Sequence, residues 1–286
     1  MATDISAHYG RGDLLGQLRA ALLDDGVDPD HPTIAALAPY DHFHGRGLEA
    51  TEELADLLTV SPDDHILDVG CGIGGPARYL AERFGARITG IDLTAEFCEV
   101  ARHLTTALGM EDRVDFKQGD ALAMPFGDVS FDGAYSMNVS MNIADKAGFY
   151  AEIHRVLRPG GWLVLSELAQ GPGGPPAYPT PWARMAESSF LVTPEQTRAG
   201  LEAAGFTVST LRETTEQSLA YGARSRAAVE RGEKPPYRAV QLIHGEIAQD
   251  AMANVARGLA EGRIVPIEVV CRKPGETPGS EAATHH

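Results

Sequence analysis

The chain of 286 residues carries 40 acidic side chains against 24 Lys and Arg side chains, a formal net charge of −16 at pH 7. A field of that sign repels phosphate backbones, so nucleic acid is not an expected partner. The sequence shows neither the roughly 18 apolar residues of a membrane span nor a signal-peptide pattern. Its three cysteines show neither metal spacing nor a paired framework. We therefore expect a cytoplasmic protein with one α/β domain and an added cap.

Helices are predicted at the start of the chain. An amphipathic helix is expected over residues 13–23, because leucines recur there on one face: Leu14, Leu15, Leu18, Leu22 and Leu23. A break that contains Asp and Pro follows at 28–32, and residues 48–58 predict a longer helix. We interpret residues 1–62 as an N-terminal helical lid. Residues 1–65 hold 13 Asp and Glu side chains and only 3 Lys and Arg side chains, so this part is strongly acidic.

A glycine-rich turn follows the first predicted strand. Residues 66–75 read Ile-Leu-Asp-Val-Gly-Cys-Gly-Ile-Gly-Gly, and a helical pattern continues over 76–84. Glycines allow a ligand to approach the backbone and allow positive φ angles. The helix N-terminus behind them offers unpaired N–H groups to an anionic group. This strand, turn and helix predict a site for a nucleotide-like cofactor.

The glycines fit two cofactor patterns. Gly70, Gly72 and Gly75 match the G-x-G-x-x-G of dinucleotide enzymes. Asp68, with Gly70, Gly72 and Gly74, matches the D-x-G-x-G-x-G of S-adenosylmethionine (SAM) methyltransferases. The turn alone therefore leaves NAD and SAM open.

Acidic residues at the ends of the next two predicted strands bear on that choice. Asp92 ends the strand over 86–92, where a carboxylate can accept hydrogen bonds from ribose hydroxyls with either cofactor. Asp120 follows the strand that begins at residue 114, and an acid there can accept a hydrogen bond from the adenine amine. This third acid is not part of the NAD pattern.

The following elements keep the order strand, helix, Leu-Arg-Pro-Gly-Gly, strand. A strand is predicted over 131–136, a helix over 147–157 and an apolar strand over 162–166. Alternation of strand and helix predicts a parallel sheet with right-handed crossovers. Residues 66–170 resemble the class I SAM-dependent methyltransferases. The similarity is to their small-molecule branch, which includes the ubiquinone/menaquinone, tocopherol and glycine-betaine enzymes.

This resemblance implies an α/β fold: a Rossmann-like seven-stranded, mostly parallel sheet with helices on both faces, plus a helical cap. It implies SAM as the cofactor and S-adenosyl-L-homocysteine as the product. The core is expected over 63–215 and the last core strand over 263–273, so that strands at 207–211 and 265–271 form an antiparallel pair. Between them, 216–262 is interpreted as an inserted helical cap, and 274–286 as a disordered tail.

The family's cofactor residues map onto a defined set of positions. The expected contacts to SAM are Asp68, Gly70, Gly72, Gly74, Asp92, Leu93, Asp120, Ala121, Ser136 and Asn138. Candidates for a catalytic group on the acceptor side lie in the predicted cap segments, and they are His42, His44, Tyr178, His244 and Tyr9. Histidine suits proton transfer because its pKa lies near 7. A lid contact to the cofactor, or packing, is the alternative role for His42 and His44.

The expected activity is methyl transfer to a small organic acceptor by direct, metal-free in-line displacement, because no set of metal ligands is visible. An amine acceptor is preferred, because the N-terminal part is acidic and no pair of catalytic bases is evident. The alternatives are C- or O-methylation of an isoprenoid, quinol or phenolic natural product, a nicotinamide-dependent oxidoreductase, and a non-catalytic SAM-binding subunit. The protein is expected to be a monomer or a homodimer.

Overall fold

The computed structural model describes residues 12–275. Tyr9 and the chain beyond residue 275 lie outside the described residues. Three helices precede the sheet: α1 (Leu14–Asp24), α2 (Ile34–Asp41) and α3 (Leu48–Asp56). In α1 the buried residues are Leu14, Leu18 and Leu22, whereas Leu23 is 63% exposed. The prediction that Leu23 shares the apolar face is therefore wrong, since the face that packs on the core is narrower than predicted.

Seven strands form one sheet with the order β3-β2-β1-β4-β5-β7-β6. Their bounds are β1 His65–Val69, β2 Arg87–Asp92, β3 Val114–Gln118, β4 Phe131–Met137, β5 Leu157–Gln170, β6 Thr207–Glu213 and β7 Ile264–Arg272. Strands β1 to β5 pair in parallel, and β7 runs antiparallel to both β5 and β6. The predicted seven-stranded, mostly parallel sheet is confirmed.

Helices cover both faces of this sheet, and each face has its own apolar core. The helices that alternate with the strands are α4 (Gly75–Phe84), α5 (Ala95–Ala107), α6 (Lys146–Val156) and α7 (Pro194–Ala203). Leu80 of α4 and Ala101 of α5 belong to one buried cluster, whereas Phe149 of α6 and Leu201 of α7 belong to the other. A parallel sheet needs this cover because both of its faces are apolar.

Strand β5 begins earlier than predicted. Its hydrogen-bonded register starts at Leu157, so the Arg-Pro-Gly-Gly stretch at 158–161 is part of the strand rather than a turn before it. The backbone of Gly160 donates to Lys273 O at 3.0 Å, and Lys273 donates to Gly161 O at 2.8 Å. The sequence pattern did not reveal this pairing, because Pro and Gly usually interrupt strands.

Helices fill the chain between β6 and β7, and they are α8 (Thr215–Glu230), α9 (Ala239–His244) and α10 (Ala248–Ala260). This segment contacts the N-terminal helices. Arg238 donates from its backbone to Pro39 O at 2.8 Å, and the Tyr237 hydroxyl donates to Phe43 O at 3.1 Å. Within residues 12–275, no helix is long and apolar enough to cross a bilayer.

Candidate active site

A cavity of about 290 Å³ lies at the carboxyl ends of β1, β2, β3 and β4. This is the edge at which open α/β sheets bind their ligands. Of the residues predicted from the sequence, those that line it are His44, Asp68, Gly70, Gly72, Asp92, Leu93, Asp120, Ala121 and Asn138. The fold therefore brings the ends of four strands, the glycine turn and one lid histidine to a single cavity.

Five predicted residues are not among those that line this cavity. Gly74 is the N-cap of α4, and the buried Ser136 hydroxyl lies 3.1 Å from Val69 O. His42 is buried beside Asp41, Tyr178 packs with the Trp182 cluster, and His244 is buried at the end of α9. Their functional roles stay predictions.

The glycine turn adopts a conformation that other residues rarely take. Gly70, Gly72 and Gly74 have φ angles of 78°, 53° and 83°. A Cβ at Gly70 would lie only 2.2 Å from a Val139 methyl group, so a side chain is excluded there by space as well as by φ. The backbone of Gly70 donates to Ile91 O at 2.8 Å, which fixes the turn against the end of β2.

Asp92 connects the turn to the second strand. One carboxylate oxygen accepts from the Gly72 N–H at 2.9 Å, and the other accepts from the Thr94 N–H at 2.8 Å. Burial raises the pKa of Asp92 to about 6, although these backbone hydrogen bonds partly oppose the shift. The carboxylate is thus held at the cavity wall in one orientation.

The pKa of Asp68 is shifted further than that of Asp92. Its side chain is buried, and burial raises its pKa to about 7 against a smaller opposing effect of the Tyr135 hydroxyl. Neither Oδ2 of Asp68 nor the Tyr135 hydroxyl makes a hydrogen bond of normal geometry within the described part of the chain. A cationic ligand in the cavity would stabilise the ionised form of this carboxyl group.

Asp120 lies two residues after β3, at the far side of the cavity. Its Oδ1 accepts from the Leu122 N–H at 2.9 Å, which sets the orientation of the carboxylate. Ala121 lies beside it and also lines the cavity. Asp68, Asp92 and Asp120 are therefore carried by the ends of three neighbouring strands.

His44 is the histidine that reaches the cavity. Its Nε2 lies 3.0 Å from both Gly47 O and the Thr51 hydroxyl. Because a carbonyl oxygen can only accept, Nε2 carries the hydrogen and the lone pair lies on Nδ1. Burial, followed by the charge of His42, lowers the pKa of His44 to about 3, so the ring is neutral near pH 7.

The sequence interpretation missed a buried ion pair at the cavity. Oδ2 of Asp41 accepts from Arg78 Nη2 at 2.9 Å, and Oδ1 lies 2.7 Å from Nδ1 of His42. Burial favours a higher pKa for Asp41, but the charges of His42 and Arg78 lower it below its usual value. The available signal was Arg78 itself, which interrupts the apolar face of the predicted helix between Ala77 and Leu80.

The cavity wall is acidic and lacks side-chain cations. Among the residues between 12 and 275 that line it, none is Lys or Arg, and the acids are Asp41, Asp68, Asp92, Asp120 and Asp145. The same part of the chain contains no group of three His, Cys, Asp or Glu side chains that could hold a metal ion. Metal-free transfer stays a prediction.

Comparison with known proteins shows the family. A model described as "Methyltransferase domain" matches residues 67–165. An O-methyltransferase from Pyrenophora dematioidea is 32% identical over 211 residues, which cover 72% of this chain and 76% of that protein. The methyltransferase GfsG from Streptomyces halstedii is 36% identical over 168 residues, and the match spans 58% of each protein.

A solved structure supports the same assignment of the fold. Geranyl diphosphate methyltransferase in complex with SAM superimposes with a TM-score of 0.63 at 22% identity, covering 79% of this chain and 84% of that one. The family match decides between the two cofactors that the glycine turn left open. The chain belongs to the class I SAM-dependent methyltransferases, in their small-molecule branch, and SAM is the cofactor of this family.

Proposed function

We propose that the chain transfers a methyl group from SAM to a hydroxyl oxygen of a small, uncharged organic molecule. The observation that carries this proposal is His44 at the cavity wall, where the contact of Nε2 with Gly47 O leaves Nδ1 as the acceptor atom of a neutral ring. The proposal places the cofactor and the acceptor in the same cavity.

The residues at the strand ends suit SAM. In the proposed arrangement Asp92 binds the ribose, Asp120 accepts from the adenine amine and Leu93 packs on the ring. The glycine turn takes the methionine part. Asp68 supports this assignment, because the ionised form of its buried carboxyl group, whose Oδ2 makes no hydrogen bond of normal geometry, would be stabilised by the positive charge of SAM. When bound, SAM supplies an electrophilic methyl group.

His44 suits a hydroxyl acceptor better than an ammonium acceptor. A neutral imidazole with a pKa of about 3 cannot take the proton of an alkylammonium group, which is far less acidic than an imidazolium. A hydroxyl oxygen that is gaining a methyl group becomes strongly acidic, so even a weak base at Nδ1 can accept its proton late in the reaction. The charge on the oxygen is thereby relieved as the new bond forms.

The charge of the cavity wall restricts the class of acceptor molecule further. Three of the five aspartates that line the cavity are assigned to SAM, and the described lining residues supply no Lys or Arg that could pair with a phosphate or carboxylate on the acceptor. Phe43, Val139 and Ile143 add apolar surface to the same wall. The absence of cations from the described wall disfavours an anionic acceptor, and the apolar side chains favour an uncharged, largely apolar one.

A second candidate is N-methylation of an amine. The acidic wall favours it, because the aspartates would attract a cationic amine and the described lining residues include no Lys or Arg that would repel it. The amine would have to lose its proton before it enters, since His44 is too weak a base to remove it. Hydroxyl and amine acceptors are therefore separated by the pH dependence of their reactions.

The experiment compares matched acceptors that share one aromatic scaffold and carry a hydroxyl, an amine, or a hydroxyl with an added phosphate. The hydroxyl compound should be methylated fastest and the phosphorylated one should not react. His44→Ala should lower kcat at least tenfold and leave the affinity for SAM within threefold, whereas His31→Ala, at a histidine that is 84% exposed, should change neither. Methylation of the amine alone, or full activity of His44→Ala, would contradict the proposal.

A further inference from the structure

Glu167 is a buried carboxylate that does not line the cavity. It lies near the end of β5, and its side chain is 3% exposed. Its oxygens accept from the Val139 N–H at 3.1 Å, the Ser140 N–H at 3.1 Å and the Ser140 hydroxyl at 3.0 Å. A buried carboxylate is tolerated only when hydrogen bonds of this kind replace its hydration. One short segment after β4 thus provides nearly all the donors that Glu167 has.

Lys146 binds the same part of the chain through hydrogen bonds to backbone carbonyl groups. Its Nζ donates to Ser140 O at 2.6 Å, Ile143 O at 2.5 Å and Phe190 O at 2.7 Å. Burial lowers the pKa of Lys146 to about 8. We call residues 138–145 the β4 loop. Glu167 accepts from two N–H groups of this loop, at Val139 and Ser140, and Lys146 donates to two of its carbonyl groups, at Ser140 and Ile143.

The β4 loop forms one wall of the cavity. The residues of this loop that line it are Asn138, Val139, Asn142, Ile143, Ala144 and Asp145. Asn138 has a φ of 57°, a conformation that Asn tolerates better than most residues. With its amide nitrogen toward Ser166 O, its amide oxygen accepts from the Gly45 N–H at 3.0 Å, next to His44. The loop therefore contacts the chain that carries the proposed catalytic histidine.

We propose that Glu167 is a positioning residue for methyl transfer, which it serves by holding the β4 loop against the cofactor and acceptor. The inference rests on the proposed function. Asp92 and Asp120 lie on the other side of the cavity and make no hydrogen bond to Glu167. Loss of the carboxylate should therefore disturb the reacting groups more than the binding of the adenosine part.

The test is Glu167→Gln, which keeps the size of the side chain but turns an NH2 group toward groups that donate. Amide hydrogen exchange at Val139 and Ser140 should become at least tenfold faster. The kcat should fall at least tenfold, while the Kd for SAM changes less than threefold. Glu202→Gln, on a glutamate of α7 that is 52% exposed, is the matched control and should change none of these quantities.

Two outcomes would overturn the proposal: an unchanged kcat in folded Glu167→Gln, or unchanged exchange at both amides. If that variant does not fold, Ser140→Ala removes the hydroxyl that donates to Glu167 at 3.0 Å, and kcat should fall with faster exchange at Val139; unchanged kcat and exchange in that variant would overturn the proposal. A wild-type protein that binds SAM but methylates no acceptor would count against the proposed function instead. The exchange measurement would still report whether Glu167 holds the loop.

Discussion

Asp41 and Arg78 form a buried ion pair, with 2.9 Å between Oδ2 and Nη2 and both side chains 1% exposed. Asp41 ends α2, and Arg78 lies in α4, the helix that follows the glycine turn. The two helices approach closely at this point: a Cβ at Gly75 would lie only 2.4 Å from Asp41 O. The N-terminal helices are thus attached to the proposed cofactor site by a specific charged contact as well as by apolar packing.

Arg78→Met should destabilise the protein strongly. Removal of one partner leaves the Asp41 carboxylate buried without its guanidinium, and loss of such a pair costs about 3–5 kcal/mol. Urea unfolding measures this change. Arg83→Met is the control, because Arg83 pairs with Asp56 at the surface, where such pairs contribute about 0–1 kcal/mol. Equal effects of the two variants would show that the buried pair has no special role.

Asp92→Asn should weaken the binding of SAM by about 1.5–3 kcal/mol, the scale of hydrogen bonds to a charged group. The proposed ribose contact and the orientation of the Gly72 N–H both depend on this carboxylate. Calorimetric titration with SAM gives the change in Kd, with Asp115→Asn on an exposed position of β3 as the control. Unchanged affinity in a folded Asp92 variant would remove Asp92 from the site.

Asp68 and Asp92 should each make a contribution to stability that falls as the pH rises from about 4 to about 7, opposite in sign to the contribution of the buried, neutral His44. The pKa is raised to about 7 for Asp68 and to about 6 for Asp92, above the roughly 3.9 of an unfolded aspartate. Such groups stabilise the folded state at low pH. That contribution is lost as the pH passes through the folded pKa, at about 1.4 kcal/mol per pH unit for each group.

Asp68→Asn should remove the Asp68 contribution, since the amide does not titrate, so the stability of the wild type relative to the variant should fall as the pH rises. Urea unfolding at several pH values between about 5 and about 8 compares the variant with the wild type. Asp63→Asn, at an exposed position before β1, should keep the wild-type slope. Parallel curves for the wild type and Asp68→Asn would show that Asp68 is ionised over the whole range.

The sequence predicted the sheet and the strand-end acids because both follow from local rules. Alternating strands and helices imply a parallel sheet, and parallel strands place their final residues at one edge. Asp92 and Asp120 were found in this way. Asp41 and Arg78 are 37 positions apart, and Glu167 bonds residues 27 and 28 positions away. No local pattern pairs such residues, because the periodicity of one helix or strand does not show which distant part of the chain will pack against it.

The most direct test of the proposed methyl transfer is a search for labelled products with trideuteromethyl SAM. The purified protein is incubated with the labelled cofactor and small-molecule extracts, and mass spectrometry identifies compounds that gain the label. We expect a product labelled at a hydroxyl oxygen of an uncharged compound, formed by the wild type and much reduced in His44→Ala. Tight binding of SAM without any labelled product, across extracts and hydroxyl acceptors, would contradict it.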